Sequence, residues 1–135
     1  MLKVVHVDDS SAILCSVSRV LRAIPGVELV GTAGDVDGAV ALIDAALPDV
    51  VLLDVNLSGG RKGLEVLQHV RRGHPQTQVI VLTSAASPVL RLAYLNAGAQ
   101  GYFDKAHESL QASAWIAERA ALAGSIRAAD GVRQV

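Results

Sequence analysis

Four short apolar runs in this 135-residue chain end in residues that can do chemistry. Lys3–Val7 is followed by Asp8-Asp9, Val50–Leu53 by Asp54, Gln78–Leu82 by Thr83-Ser84, and Gly101–Phe103 by Asp104-Lys105. If the ends of these runs meet, the carboxylates of Asp8, Asp9 and Asp54 share one place with a hydroxyl and an ammonium. Carboxylates within a few ångströms of one another repel unless a cation lies among them. A hard divalent ion answers that need. Mg2+ prefers oxygen ligands, keeps several waters, and takes one or two carboxylates together with phosphate oxygens. Beside such an ion Asp54 can act as a carboxylate nucleophile towards phosphorus. Lys105 can pair with phosphoryl oxygens as a point charge, and the Thr83 hydroxyl can donate to them. The chemistry these residue types suggest is phosphoryl transfer, which depends on positioning and charge neutralisation.

Taken singly, each residue has a plainer use. Asp8 or Asp9 could cap the helix that follows. Asp54 could close a turn, and Thr83 could serve as a turn or helix-entry hydroxyl. Lys105 could be a solvated surface lysine. The weight lies in the conjunction, because the required types stand at the same end of four separate runs.

The elements that must position them follow from the hydrophobic pattern. Five short runs rich in β-branched residues alternate with longer helical patterns. The expected strands are Lys3–Val7, Glu28–Ala33, Val50–Leu53, Gln78–Leu82 and Gly101–Phe103. The expected helices run from about Ser11 to Ile24, Asp37 to Ala46, Gly63 to Gly73, Pro88 to near Gly98, and onward from about Ser109. Asp35 is the expected N-cap of the second, Pro88 suits a first helical turn, and Gly98 suits a C-cap. The runs are continuously apolar rather than alternating, which marks strands buried on both faces. Strand–helix alternation with short loops gives a single doubly wound α/β domain, a (βα)5 unit with a parallel sheet. In such a sheet ligands bind outside the carboxyl ends of the strands, where the chemistry-bearing residues stand. The domain is expected to span residues 2–124, with 125–135 as a helix end or tail.

Composition sets outer limits. Half of the chain is hydrophobic (51%) but only 3% is aromatic, so Val, Leu, Ile and Ala must build the core. Twelve basic and thirteen acidic residues leave a formal charge of −1, a poor footprint for nucleic acid or an anionic membrane. No apolar stretch approaches a bilayer span or a signal peptide, so a cytoplasmic location is expected. Cys15, the single cysteine, is expected to be a small buried thiol on a helix. His6, between valines, is expected to be a satisfied core histidine. His69, His74 and His107 show no metal-ligand spacing. Trp115 on the last helix is expected to pack on the sheet, with a partner-binding face as the alternative.

Several motifs carry a family resemblance. Val7-Asp8-Asp9-Ser10, Leu53-Asp54-Val55-Asn56-Leu57 with Gly63-Leu64-Glu65, Leu82-Thr83-Ser84-Ala85, and Gly101-Tyr102-Phe103-Asp104-Lys105 resemble a response-regulator receiver domain of bacterial two-component signalling, over about Leu2 to Leu122. The resemblance implies a flavodoxin-like five-stranded sheet in the order 2-1-3-4-5. It implies that Asp54 is the phosphorylated aspartate, accepting its phosphoryl group from a sensor histidine kinase or phosphotransfer protein. Asp9 matches the direct Mg2+ ligand, Asp8 the carboxylate that holds the metal through water, and Asn56 the ligand that uses its backbone carbonyl. Thr83 matches the switch hydroxyl, Tyr102 the switch aromatic and Lys105 the phosphoryl-pairing lysine. Phosphorylation would then alter the face formed by the fourth helix, fifth strand and fifth helix, where a downstream protein or a second copy of the chain could dock. Two departures stand out. Ala106 follows Lys105 where the family usually has proline, so a trans bond is expected there. The loop Leu57–Gly63 lacks the family's frequent proline and is one residue longer; Arg61 and Lys62 are expected to be solvated there, with approach to a docking partner as the alternative.

Two other classes are weighed beside this one. A flavin phosphate needs amides and hydroxyls after the first strand, where this chain has two carboxylates. An aspartyl phosphatase needs a second acid paired with its nucleophile, and none stands two residues beyond Asp54. A binding module on the same fold that works without phosphorylation is the remaining alternative. No DNA-binding helix-turn-helix follows the receiver-like region, so the chain either acts through protein contacts or belongs to a longer regulator.

Overall fold

In the computed structural model, which describes residues 1–85 and 87–133 with side chains as far as Ser125, β-branched and leucine runs form four strands and a short run carrying Tyr102 and Phe103 forms the fifth. These are β1 Leu2–Val7, β2 Val27–Ala33, β3 Val50–Leu53, β4 Gln78–Thr83 and β5 Gly101–Asp104. The helices are α1 Ser11–Ala23, α2 Val36–Ala46, α3 Gly63–Gly73, α4 Pro88–Asn96 and α5 Ser109–Arg133. All strand pairs are parallel, in the order β2-β1-β3-β4-β5.

Alternation along each strand sorts the apolar side chains between two layers. Val5, Val7, Val51, Leu53, Val79 and Val81 pack with the buried faces of α2, α3 and α4. Leu2, Val4, Val50, Leu52, Ile80 and Leu82 pack on the other face, against Leu21 of α1 and Ala112, Ile116 and Ala120 of α5. Trp115 is half-buried against this second layer, with the Arg119 guanidinium 5.0 Å above its ring.

The helix boundaries have local causes. Ser10, Asp35 and Ser87 sit at N-caps and accept from Ile13, Gly38 and Leu90 amides. Gly98, just past the end of α4, takes φ +111°, a conformation that favours glycine. The backbone of α5 stays helical to Arg133, so the stretch expected as a helix end or tail is helical that far; residues 134 and 135 lie outside the described residues.

Cys15 departs from expectation. It is exposed, because the core-facing stripe runs through Val17 and the buried Leu21 to the C-cap Ile24 and leaves Cys15 on the outer side, near Arg19.

Candidate functional site

Register builds the site. Val7 pairs with Leu53, so the next residues, Asp8 and Asp54, emerge side by side, and the Asp54 amide donates to the Val7 carbonyl at 2.9 Å. On the other side of β3, Thr83 pairs with Asp104, and the Lys105 amide donates to the Thr83 carbonyl at 2.9 Å. Strand pairing thus delivers all four chain segments to the carboxyl edge of the sheet.

Asp8, Asp54 and Thr83 are buried there, whereas Asp9 is exposed. Each buried carboxylate has one oxygen tied to backbone. Asp8 Oδ1 accepts from the Ser10 amide at 2.9 Å, and Asp54 Oδ1 from the Val55 amide at 2.7 Å. The remaining oxygens face Lys105, whose Nζ lies 2.6 Å from Asp8 Oδ2 and 3.1 Å from Asp54 Oδ2. Burial of Lys105 works against its charge. Hydrogen bonds to Asp8 and Asp54 and their negative charge outweigh that effect, and the ammonium is held above its ordinary pKa.

Carboxylate oxygens of Asp8, Asp9 and Asp54 all lie within 4.8 Å of one another. An all-oxygen set of this kind, partly open to solvent through Asp9, fits a hard divalent cation such as Mg2+. Asn56 is beside the rim, and its side-chain oxygen accepts from Lys62 Nζ at 2.7 Å.

Two loops hold the rim in shape. Gly63, the first residue of α3, donates its amide to Val55 at 2.7 Å and lies against the Asp54 carbonyl. A Cβ at Gly63 would stand 2.2 Å from that carbonyl oxygen, so only glycine allows this approach. Its part in seating Asp54 is invisible in the sequence, because nothing local shows which backbone it must pass. The loop after Asp54 is tied down as well: Arg61 bridges Asp37 of α2 and Glu65 of α3 at 2.8 and 2.9 Å.

At the Lys105 loop, the peptide bonds are trans. The Ala106 amide, a donor that proline would lack, bonds Asp104 Oδ1 at 2.9 Å, and Asp104 Oδ2 meets His107 Nδ1 at 3.0 Å. Asp104 thereby shapes the turn from its own side chain.

Tyr102 is buried, and its hydroxyl donates to the Ala85 carbonyl at 2.5 Å, while Thr83 Oγ1 accepts from the Ala85 amide at 3.2 Å. The two residues expected as the switch pair therefore hold the same loop residue. Burial and the Asp54 charge hold the Tyr102 phenol above its ordinary pKa.

Two histidine expectations change. His6 is buried as expected, but its Nδ1 has no hydrogen-bond partner, so it is not satisfied. His69 and His74, whose spacing showed no metal pattern, converge with Asp44, because His74 leaves the helix and turns back. His107 pairs with Asp104 instead.

The sheet order and a carboxyl-edge carboxylate cluster paired with lysine define a doubly wound α/β domain with a site suited to phosphoryl chemistry. Comparison with known proteins sharpens this. The response regulator receiver domain pattern matches residues 4–114, and the chain belongs to that family of phosphorylation-dependent signalling switches. It is 38% identical over 105 residues to the DNA-binding transcriptional activator DevR/DosR of Mycobacterium tuberculosis, covering 78% of this chain and 48% of that protein. It is 37% identical over 103 residues to the nitrate/nitrite response regulator protein NarP of Escherichia coli, covering 76% of this chain and 47% of that one. The chain thus aligns with about half the length of these curated relatives. Among solved structures, the signal receiver domain of the putative response regulator NarL from Mycobacterium tuberculosis superposes with a TM-score of 0.79 at 31% identity, covering 88% of this chain and 95% of that one. No helix among the described residues is long and apolar enough to cross a membrane.

Proposed function

We propose that Asp54 accepts a phosphoryl group from a histidine kinase or phosphotransfer protein, and that the change is read on the face formed by α4, β5 and α5. The observation that carries this reading is Lys105 Nζ lying between Asp8 and Asp54, which poises an ammonium beside the attacking carboxylate. Asp54 Oδ2 is the oxygen for attack, since Oδ1 is engaged by the Val55 amide. Its lone pair forms the new O–P bond as the P–N bond to the donor's imidazole breaks and the electron pair returns to that nitrogen.

Asp8, Asp9, Asp54 and the backbone carbonyl of Asn56 would hold Mg2+, which when bound neutralises the carboxylates and the phosphoryl oxygens. Lys105 then moves its hydrogen bonds from the carboxylates to a phosphoryl oxygen. Thr83 donates a hydrogen bond from its hydroxyl to another phosphoryl oxygen and reorients away from the Ala85 amide. Because Tyr102 is bonded to the same residue 85, loop movement frees its hydroxyl and shifts β5 against α4. The exposed Val89 and Leu92 of α4 and Leu110 of α5 give this face apolar anchors for a protein target or a second copy.

The chain acts as a stoichiometric phosphoacceptor in the cytoplasm, with only Mg2+-assisted self-phosphorylation and self-dephosphorylation. Incubation with Mg2+ and acetyl phosphate should add one phosphoryl group by intact mass, and Asp54→Asn should abolish the gain. An unmodified wild-type mass under saturating donor would sink the reading.

A further inference from the structure

Asp44 of α2, His69 of α3 and His74 at the C-cap of α3 meet at a point far from the phosphoacceptor rim. His69 Nε2 and His74 Nε2 each lie 2.7 Å from the same oxygen, Asp44 Oδ1. Gly63 abuts Asp54 at one end of α3, and at about 1.5 Å per residue His74 is roughly 16 Å further along. The cluster is therefore at the opposite end of the domain from Asp54.

Its geometry depends on where α3 stops. On a continuous helix, residues five apart point about 140° away from each other. His74 instead leaves the helix at φ −136°, ψ 65°, with its amide still bonded to the Val70 carbonyl. That turn brings its ring back to His69, with ring centroids 5.7 Å apart. The two imidazoles are partly shielded, 28% and 15% exposed, whereas Asp44 is 50% exposed and leaves one side of the cluster open to water.

We propose that Asp44, His69 and His74 form a second metal site, taking a borderline transition ion of the Zn2+ class through two imidazole nitrogens and one carboxylate oxygen. Two imidazoles and a carboxylate suit zinc, whose Zn–N and Zn–O bonds are about 2.0–2.2 Å. Tetrahedral bonds of that length separate ligand atoms by about 3.4 Å, so each contact must open by roughly 0.7 Å. The half-exposed Asp44 side chain can supply that movement. A water completes the fourth position on the open side. Each neutral imidazole presents its Nε2 lone pair to the metal by carrying its proton on Nδ1.

The site is chemically distinct from the Asp8–Asp9–Asp54 rim. That rim is all oxygen and suits Mg2+, whereas imidazole nitrogen favours zinc-class ions over Mg2+. Bound metal would clip α2 to α3 at the pole opposite Asp54.

The test is calorimetric titration of ZnCl2 into the full chain carrying Cys15→Ser, which removes the exposed thiol. Excess Mg2+ keeps the rim engaged, and circular dichroism checks that each variant folds. One zinc per chain is expected, with a rise in Tm that Mg2+ alone does not give. His69→Ala and His74→Ala should each weaken zinc by at least about tenfold, since even outer-shell losses around a metal cost 10–100-fold. His107→Ala should leave affinity unchanged. Absence of zinc binding up to millimolar concentration overturns the proposal, as does equal affinity in the parent and both histidine variants.

Discussion

His6 makes the stability of this domain sensitive to mild acid. It lies in β1, 1% exposed, and by the alternation of the strand it faces the layer of α1 and α5. Its pKa is pushed from 6.5 down to about 4, first by burial; Asp8 and Asp54 pull it up and Lys105 pushes it further down. The unfolded chain binds this proton below about pH 6.5, whereas the native state binds it only near pH 4. The unfolded state therefore holds more protons throughout that window, and stability falls as pH falls through it. At about 1.4 kcal/mol per unit the whole effect is roughly 3 kcal/mol, of which roughly 2 is lost between neutral pH and about pH 4.5.

The perturbation is His6→Val, which suits a strand and removes the unpartnered Nδ1. Losing that buried orphan offsets part of the small loss of volume, so stability at pH 7 should stay within about 1 kcal/mol of wild type. Urea unfolding followed by circular dichroism, at several pH values from neutral to about 4.5, gives both curves. Carboxylates held below their ordinary range, such as Asp44, Glu65 and Asp104, titrate in both proteins and cancel in the difference. Wild type should lose roughly 2 kcal/mol more than the variant over this range. Parallel curves for the two proteins would refute the reasoning.

Three other substitutions probe the rim. Gly63→Ala forces a Cβ into the Asp54 carbonyl, where only backbone movement relieves it, and should cost about 1–3 kcal/mol in urea unfolding while slowing phosphorylation by acetyl phosphate. Lys105→Met leaves Asp8 and Asp54 without their cation; in EDTA it should cost roughly 3 kcal/mol, and Mg2+ should raise the Tm of the variant more than that of wild type. Asp104→Ala removes the acceptor for the Ala106 amide and should reduce the phosphorylation rate severalfold with little change in Tm, read by intact-mass time courses; an unchanged rate would show that the turn holds Lys105 without it.

Much of this protein was legible in its residues. Continuous apolar runs between capped helices dictated parallel strands, buried on both faces in the central β1, β3 and β4 but only partly buried in the edge strands β2 and β5, and Asp35, Pro88 and Gly98 marked their helix ends through local backbone chemistry. The family motifs added the strand order, which no local pattern encodes. The residues that cluster at the carboxyl edge could be named because each closes its strand or stands within two residues of its end, so the fold alone delivers them there. What required the tertiary structure depends on distance between elements. The approach of Gly63 to the Asp54 backbone, the ammonium of Lys105 shared by Asp8 and Asp54, and Arg61 bridging α2 to α3 join residues far apart in sequence. Cys15 is exposed where a buried thiol is expected, because a one-residue rotation of about 100° on α1 separates core from solvent. The Asp44–His69–His74 cluster is hidden in the sequence for the same kind of reason. Its spacing fits no continuous helix, and only the point where α3 breaks turns the second imidazole back to the first. Local propensity and pattern determine which elements form and what stands at their ends; where two elements touch is decided by packing, which no single segment contains.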